Sequence, residues 1–151
     1  IDQLSIILLA YNEELNIEAV AFQKATIYLF NRRKNIISSL IYNDLIAYLN
    51  ESTPFPSPTI KLFQLPMING IESGFPGATI INDESVIIFT CSVENTDNAY
   101  DDGEILGSFI GTIDILDNKI SNTYKSVIIP DIETPLKVES ITIINQITNI
   151  K

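Results

Sequence analysis

Ile17-Glu18-Ala19-Val20-Ala21-Phe22, Pro76-Gly77-Ala78-Thr79-Ile80-Ile81 and Val138-Glu139-Ser140-Ile141-Thr142-Ile143 can be laid over one another. The first and third share their apolar pattern and a glutamate at the second position, where the middle copy has glycine. They begin at positions 17, 76 and 138, steps of 59 and 62 residues. Each of the first two is followed by a short polar turn and a strongly apolar run, Thr26 to Asn31 and Ser85 to Val93. Short apolar runs bounded by polar turns are the signature of strands. A multi-strand unit recurring at this length in a strand-rich chain is what a β-propeller blade looks like. The fold reading is therefore all-β: a partial propeller of about two to three blades, with approximate repeats at 15–58, 59–120 and 121–151.

Outward from these copies, strand-like runs return about every ten residues. They cover Gln3–Ala10, Leu15–Phe22, Thr26–Asn31, Ile36–Tyr42, Thr59–Leu65, Ala78–Ile81, Ser85–Val93, Ser108–Leu116, Thr123–Ile129 and Lys137–Ile144. Asp44–Leu49 breaks the pattern: Leu45, Ile46 and Leu49 share one helical face and Asn43 can cap it, so one short helix is expected. Thr53-Pro54-Phe55-Pro56-Ser57-Pro58 follows. Its prolines donate nothing to a ladder, which suits an extended crossing between sheets; a polyproline ligand is the other reading. Ser73–Gly77 and Gly107–Gly111 read as glycine-bearing turns or points of close packing, and neither has phosphate-cradling spacing.

Composition supports a packed, strand-rich chain. Of 151 residues 46% are hydrophobic, too many for disorder, and the β-branched isoleucine dominates, which suits a pleated surface. The net charge of −10 makes nucleic acid and anionic membranes poor partners, because both need Lys and Arg; cations and metal-bearing substrates remain open. Cys91 is the single cysteine, without an internal disulfide partner, and reads as a small buried hydrophobe. With no histidine, the usual zinc sets and a Ser-His-Asp triad are unavailable. No run approaches the roughly 20 apolar residues of a membrane helix, and no charged leader with an apolar core opens the chain. The sequence starts at Ile1 rather than Met, so an internal piece, or one that has lost a leader, is expected and the compartment stays undecided. Two and a fraction blades would leave sheet faces and edges uncovered, so further blades are expected from the parent chain or from another copy.

Leu15-Asn16-Ile17-Glu18, Leu29-Phe30-Asn31-Arg32, Ser73-Gly74-Phe75-Pro76-Gly77-Ala78-Thr79, Phe89-Thr90-Cys91-Ser92-Val93-Glu94-Asn95-Thr96, Asp102-Gly103, Gly107-Ser108-Phe109-Ile110-Gly111 and Lys137-Val138-Glu139 occur in this order. The series resembles an uncharacterised six-bladed β-propeller family of bacteria, and more distantly the esterase-like phytase propellers. The resemblance spans Leu15 to Ile143 and corresponds to the later blades of such a protein. It implies the architecture and, through the phytase-like relatives, a calcium-type centre. Those families carry Glu-Gly at the repeat's key position, whereas this chain has Glu18-Ala19 and Glu139-Ser140. That puts in doubt the close backbone approach a glycine would permit.

Glu18 and Glu139 are the candidate metal ligands. Each falls at the start of what should be an innermost strand, and carboxylates converging from different blades repel unless a cation or proton lies between them. Oxygen-only ligation suits Ca²⁺ or Mg²⁺; the competing reading has each acid accepting backbone N–H hydrogen bonds. Arg32, with Asn31 and Ser73, forms the candidate substrate-binding set, Arg32 holding an anionic group bidentately. Against that, Arg32-Arg33-Lys34-Asn35 also reads as a solvated hairpin turn. The stretch from Glu94 to Glu104 is dense in acids but fails the EF-hand register, because Ala99 occupies a ligand position. Within it Glu94 and Asp102 are the candidate catalytic bases, and Glu94 stands out because it directly ends an apolar strand. Two functions fit: a Ca²⁺- or Mg²⁺-dependent ester or phosphoester hydrolase, or a non-catalytic propeller that binds a small ligand or scaffolds, with structural carboxylates. Fold alone does not separate them.

Overall fold

The computed structural model describes residues 7–8, 14–81, 83–96, 103–131 and 133–144. Strands dominate it and there is one helix of more than one turn among the described residues, so the chain is all-β as expected. Strands β1 (Ile17–Gln23), β2 (Thr26–Asn31), β3 (Ile36–Ile41) and β4 (Thr59–Leu62) form a four-stranded antiparallel sheet in the order β1-β2-β3-β4. The helix α1 (Tyr42–Leu49) lies between β3 and β4. A small hairpin, β5 (Met67–Ile68) and β6 (Ile71–Glu72), leads to the second sheet. There β7 (Gly74–Ile81), β8 (Val86–Asn95) and β9 (Glu104–Leu116) run as a meander, and β10 (Lys119–Ile120) and β11 (Lys125–Ile128) both pair with β9. Two antiparallel meanders following one another give the blade-like layout that the repeat implied.

The two sheets face each other across one core. In β1, Ala19, Ala21 and Gln23 point inward while Glu18, Val20 and Phe22 are exposed, the period-2 alternation of a half-buried strand. Small inward residues let β1 lie against β7, which it neighbours at the edge of each sheet. Behind them Tyr28, Phe30 and Ile37 of the first sheet meet Phe75, Ile80, Ile87, Phe89, Cys91, Ile113 and Ile115 of the second. Phe75 is fully buried and is the hub of the aromatic packing. Its ring lies edge-on to Phe30, Phe89 and Phe63 at centroid distances of 5.5, 5.3 and 6.3 Å, the T-shaped arrangement that the ring quadrupole favours. Phe89 stands directly opposite Gly111 on β9. A Cβ at Gly111 would lie 2.4 Å from Phe89 Cζ, so the missing side chain is what lets the ring cover β9. A smaller cluster of Leu8, Ile36 and Leu40 packs on the opposite face of the first sheet.

Several sequence expectations shift. Thr26–Asn31 forms as read, and β3 ends at Ile41 because Tyr42 already begins the helix. The helix starts before Asn43, with Ile41 at its N-cap and no side-chain cap. The proline segment does not cross between sheets; it returns the chain from α1 to β4, which pairs with β3. Ser73–Gly77 is no turn: Gly74–Gly77 belongs to β7 and carries a bulge, and Gly107–Gly111 lies within β9. Lys137–Ile144 joins no ladder. Of Gln3–Ala10, only Ile7 and Leu8 are among the described residues, and they are helical. The β5–β6 hairpin was not anticipated. Its turn residues Asn69 and Gly70 have φ of 53° and 79°, the type I′ geometry for which Asn-Gly is the strongest short-range signal.

Candidate functional site

Three bulges lie at the end of the sheets where the candidate residues gather. In β1 the register shifts between Ile17 and Ala19, so Glu18 is the extra residue. In β7 it shifts between Gly74 and Gly77, within two residues of the matching point in the repeat. In β9, Leu106 is the extra residue opposite Val93 and Glu94, beside Gly107, whose φ of +152° side-chain-bearing residues rarely adopt. A bulge re-aims the side chains next to it. Here bulges flank both Glu18 and Glu94.

The re-aimed acids meet two cations. Arg32, just past the end of β2, lies with Nη1 3.8 Å from Glu18 Oε1, and its Nη2 donates to Glu94 Oε2. Lys137 Nζ is 3.2 Å from the other oxygen of Glu94 and 3.1 Å from Glu139 Oε1. The result is one alternating chain: Glu18, Arg32, Glu94, Lys137, Glu139. It joins the first sheet to the second and the second to the segment holding the third copy of the repeat. Its centre is the most buried part, with the Glu94 side chain 7% exposed and that of Glu139 68% exposed. Oε1 of Glu94 has no aligned hydrogen bond, so its contact with Lys137 is an ion pair rather than a directed bond.

The segment bearing Lys137 is seated on the face of the second sheet by side chains rather than by a ladder. Ser92 and Ser108 stand opposite each other on β8 and β9, 2.8 Å apart. Ser108 Oγ donates to the Leu136 carbonyl at 2.5 Å, and Ser92 Oγ to that of Val138 at 3.2 Å. The Val138 N–H points back to Ser108 Oγ at 3.3 Å. Next to them Gly77 admits the backbone of Glu139 and Ser140: a Cβ there would sit 2.8 Å from Ser140 Cα.

Asn31 and Ser73 lie buried among backbone groups. Asn31 is fully buried and its amide is spent on backbone: Oδ1 accepts from Asn16 N–H at 2.6 Å and Nδ2 donates to the Arg33 carbonyl at 2.5 Å. Ser73 is equally buried, with Oγ donating to the Pro66 carbonyl at 2.8 Å and its own carbonyl accepting from Asn35 Nδ2 at 2.8 Å. Asn35 also reaches Glu72 Oε1, which in turn accepts from Leu65 N–H at 2.7 Å. The Arg32–Asn35 segment is therefore a turn, as one reading had it, with Lys34 exposed to solvent and Asn35 buried against Ser73 at the entrance to β7. Asp102 lies outside the described residues. Cys91 is buried beside Ser73, and loss of solvation pushes its thiol up to about 11, too high for a thiolate nucleophile at neutral pH.

A divalent cation requires acids free to converge on it. Glu18, Glu94 and Glu139 are each matched by Arg32 or Lys137, and no group of three potential metal ligands comes together among the described residues. Ca²⁺ in this chain of charges would have to displace an internal cation, so the described residues do not fit it. Sequence reading found four of the five links and missed Lys137. Its signal was its place immediately before the repeat's third copy.

Fold and site thus define a run of blade-like antiparallel meanders whose junctions are stitched by paired charges. The family model described as a family of unknown function (DUF6929) matches residues 2–151, and the chain belongs to that family. Neither a curated protein nor a solved structure matches it.

Proposed function

We propose that this chain supplies two blades and part of a third to a six-bladed β-propeller that binds or scaffolds rather than catalyses. In this reading the carboxylates at the blade junctions are structural. The observation that carries it is the alternating charge chain: every acid nominated as metal ligand or base, and placed among the described residues, already has an internal cation as partner. A general base must be able to take a proton from substrate or water, and a carboxylate clamped between Arg32 and Lys137 is poorly suited to that. Propellers present ligands at the ring axis and on the loops, so a small-molecule ligand would be met there. The competing hydrolase reading needs Ca²⁺ or Mg²⁺ held by Glu18 and Glu139, with Glu94 or Asp102 activating water.

Metal analysis of the purified protein, with a panel of carboxyl and phosphate esters, separates the two. The structural reading expects no stoichiometric Ca²⁺ or Mg²⁺ and no turnover above background. One bound metal per chain, lost together with hydrolysis in the Glu18→Ala, Glu139→Ala double variant, would replace it with the hydrolase.

A further inference from the structure

Glu94 takes one ion pair from each junction. Its Oε2 takes Arg32 from the first sheet, and its Oε1 takes Lys137 from the segment seated on the second sheet. We infer that Glu94 is a shared counter-charge that locks the two junctions to each other, so that opening one raises the cost of opening the other. This rests on the reading of these carboxylates as structural.

The two cations repel one another while both are drawn to the same carboxylate. Withdrawing one therefore removes an attraction but also a repulsion, and Glu94 keeps a counter-charge. Withdrawing the second leaves an almost fully buried carboxylate with none, the costly case for a buried charge. The first opening is mild and the second severe. Arg32 and Lys137 thus act on each other through Glu94, and a run of blades built this way yields at one junction at a time.

The experiment is a set of urea unfolding curves on the purified protein in EDTA, with Arg32→Gln, Lys137→Gln and Glu94→Gln alone and combined. Each single substitution should lower the folding constant ~3- to 10-fold, and the Arg32→Gln, Lys137→Gln pair at least ~10-fold beyond the product of the two. Adding Glu94→Gln to that pair should raise the constant again, although the same change lowers it in the parent. A double variant equal to the product of its singles overturns the inference. So does Glu94→Gln acting with the same sign in both backgrounds. Should the double variant fail to fold, a triple variant that folds supports the lock and one that does not overturns it. Stoichiometric Ca²⁺ lost in Glu18→Ala, Glu139→Ala would instead overturn the structural reading beneath it; absent coupling without Ca²⁺ binding removes the lock alone.

Discussion

Gly77→Ala is the smallest change that probes whether the third repeat is seated on the second sheet. The new Cβ would lie 2.8 Å from Ser140 Cα, 3.0 Å from Thr90 Oγ1 and 3.1 Å from the Glu139 carbonyl oxygen. Carbon atoms in ordinary contact sit about 3.5–4.0 Å apart, so the backbone at 139–140 must retreat by about 1 Å. That movement stretches the hydrogen bonds between the Ser92 and Ser108 hydroxyls and the backbone of residues 136–138, now 2.5 to 3.3 Å, and draws Lys137 away from Glu94. Overpacking of this kind costs about 1–3 kcal/mol. Against it stands a gain of about 0.4–1 kcal/mol, because alanine loses less chain entropy than glycine on folding. The net expectation is a loss of about 1–2 kcal/mol in urea unfolding. Tryptic cleavage after Lys137, followed by mass spectrometry under native conditions, should quicken at the same time. A variant more stable than the parent, cleaved at Lys137 no faster, would refute the reasoning, since it would mean that nothing rests on Gly77.

Three further outcomes follow from the core. Phe75→Ala removes the fully buried ring that meets Phe30, Phe63 and Phe89, and should cost about 3–5 kcal/mol in chemical denaturation. Cys91, fully buried with its thiol raised to about 11, should react with a thiol reagent at pH 8 only after unfolding, which a timed alkylation assay reads directly. The unfolded chain ionises this thiol near the ordinary value of 9.0 and the folded chain does not. Stability is therefore fully present below pH 9 and falls between pH 9 and about 11, and the buried Tyr28, also raised, steepens the loss above pH 10. Cys91→Ala should flatten the first part of that decline in a series of melts across alkaline pH.

What the sequence revealed and what it hid divide along physical lines. Thr26–Asn31 and Ser85–Val93 were legible because β-branched and aromatic residues crowd between polar turns, and that pattern needs no knowledge of distant partners. Strand β7 was read too short because Gly74, Pro76 and Gly77 are turn-formers in isolation. In the fold they make a bulged strand whose bare backbone admits neighbours. The pairing of Thr59–Leu62 with β3 is hidden because a proline-spaced stretch suits an extended crossing between sheets, whereas here it returns the chain to the same sheet. At the site, Glu18, Arg32, Glu94 and Glu139 were legible as charges set against apolar runs. Their roles were not, since Arg32 and Glu94 stand 62 residues apart in the chain and only packing of the sheets brings them together. Lone acids invite a metal; the same acids beside Arg32 and Lys137 do not.

Thermal unfolding of the whole protein with and without divalent cations tests this account most directly. A ligand bound only by the native state stabilises it by about 2.7 kcal/mol at 100 times its dissociation constant. If Glu18, Glu94 and Glu139 are held by internal cations, the melting temperature in 1 mM Ca²⁺ or Mg²⁺ should equal that in EDTA. A saturable rise of several degrees, abolished by Glu18→Ala with Glu139→Ala, would contradict it.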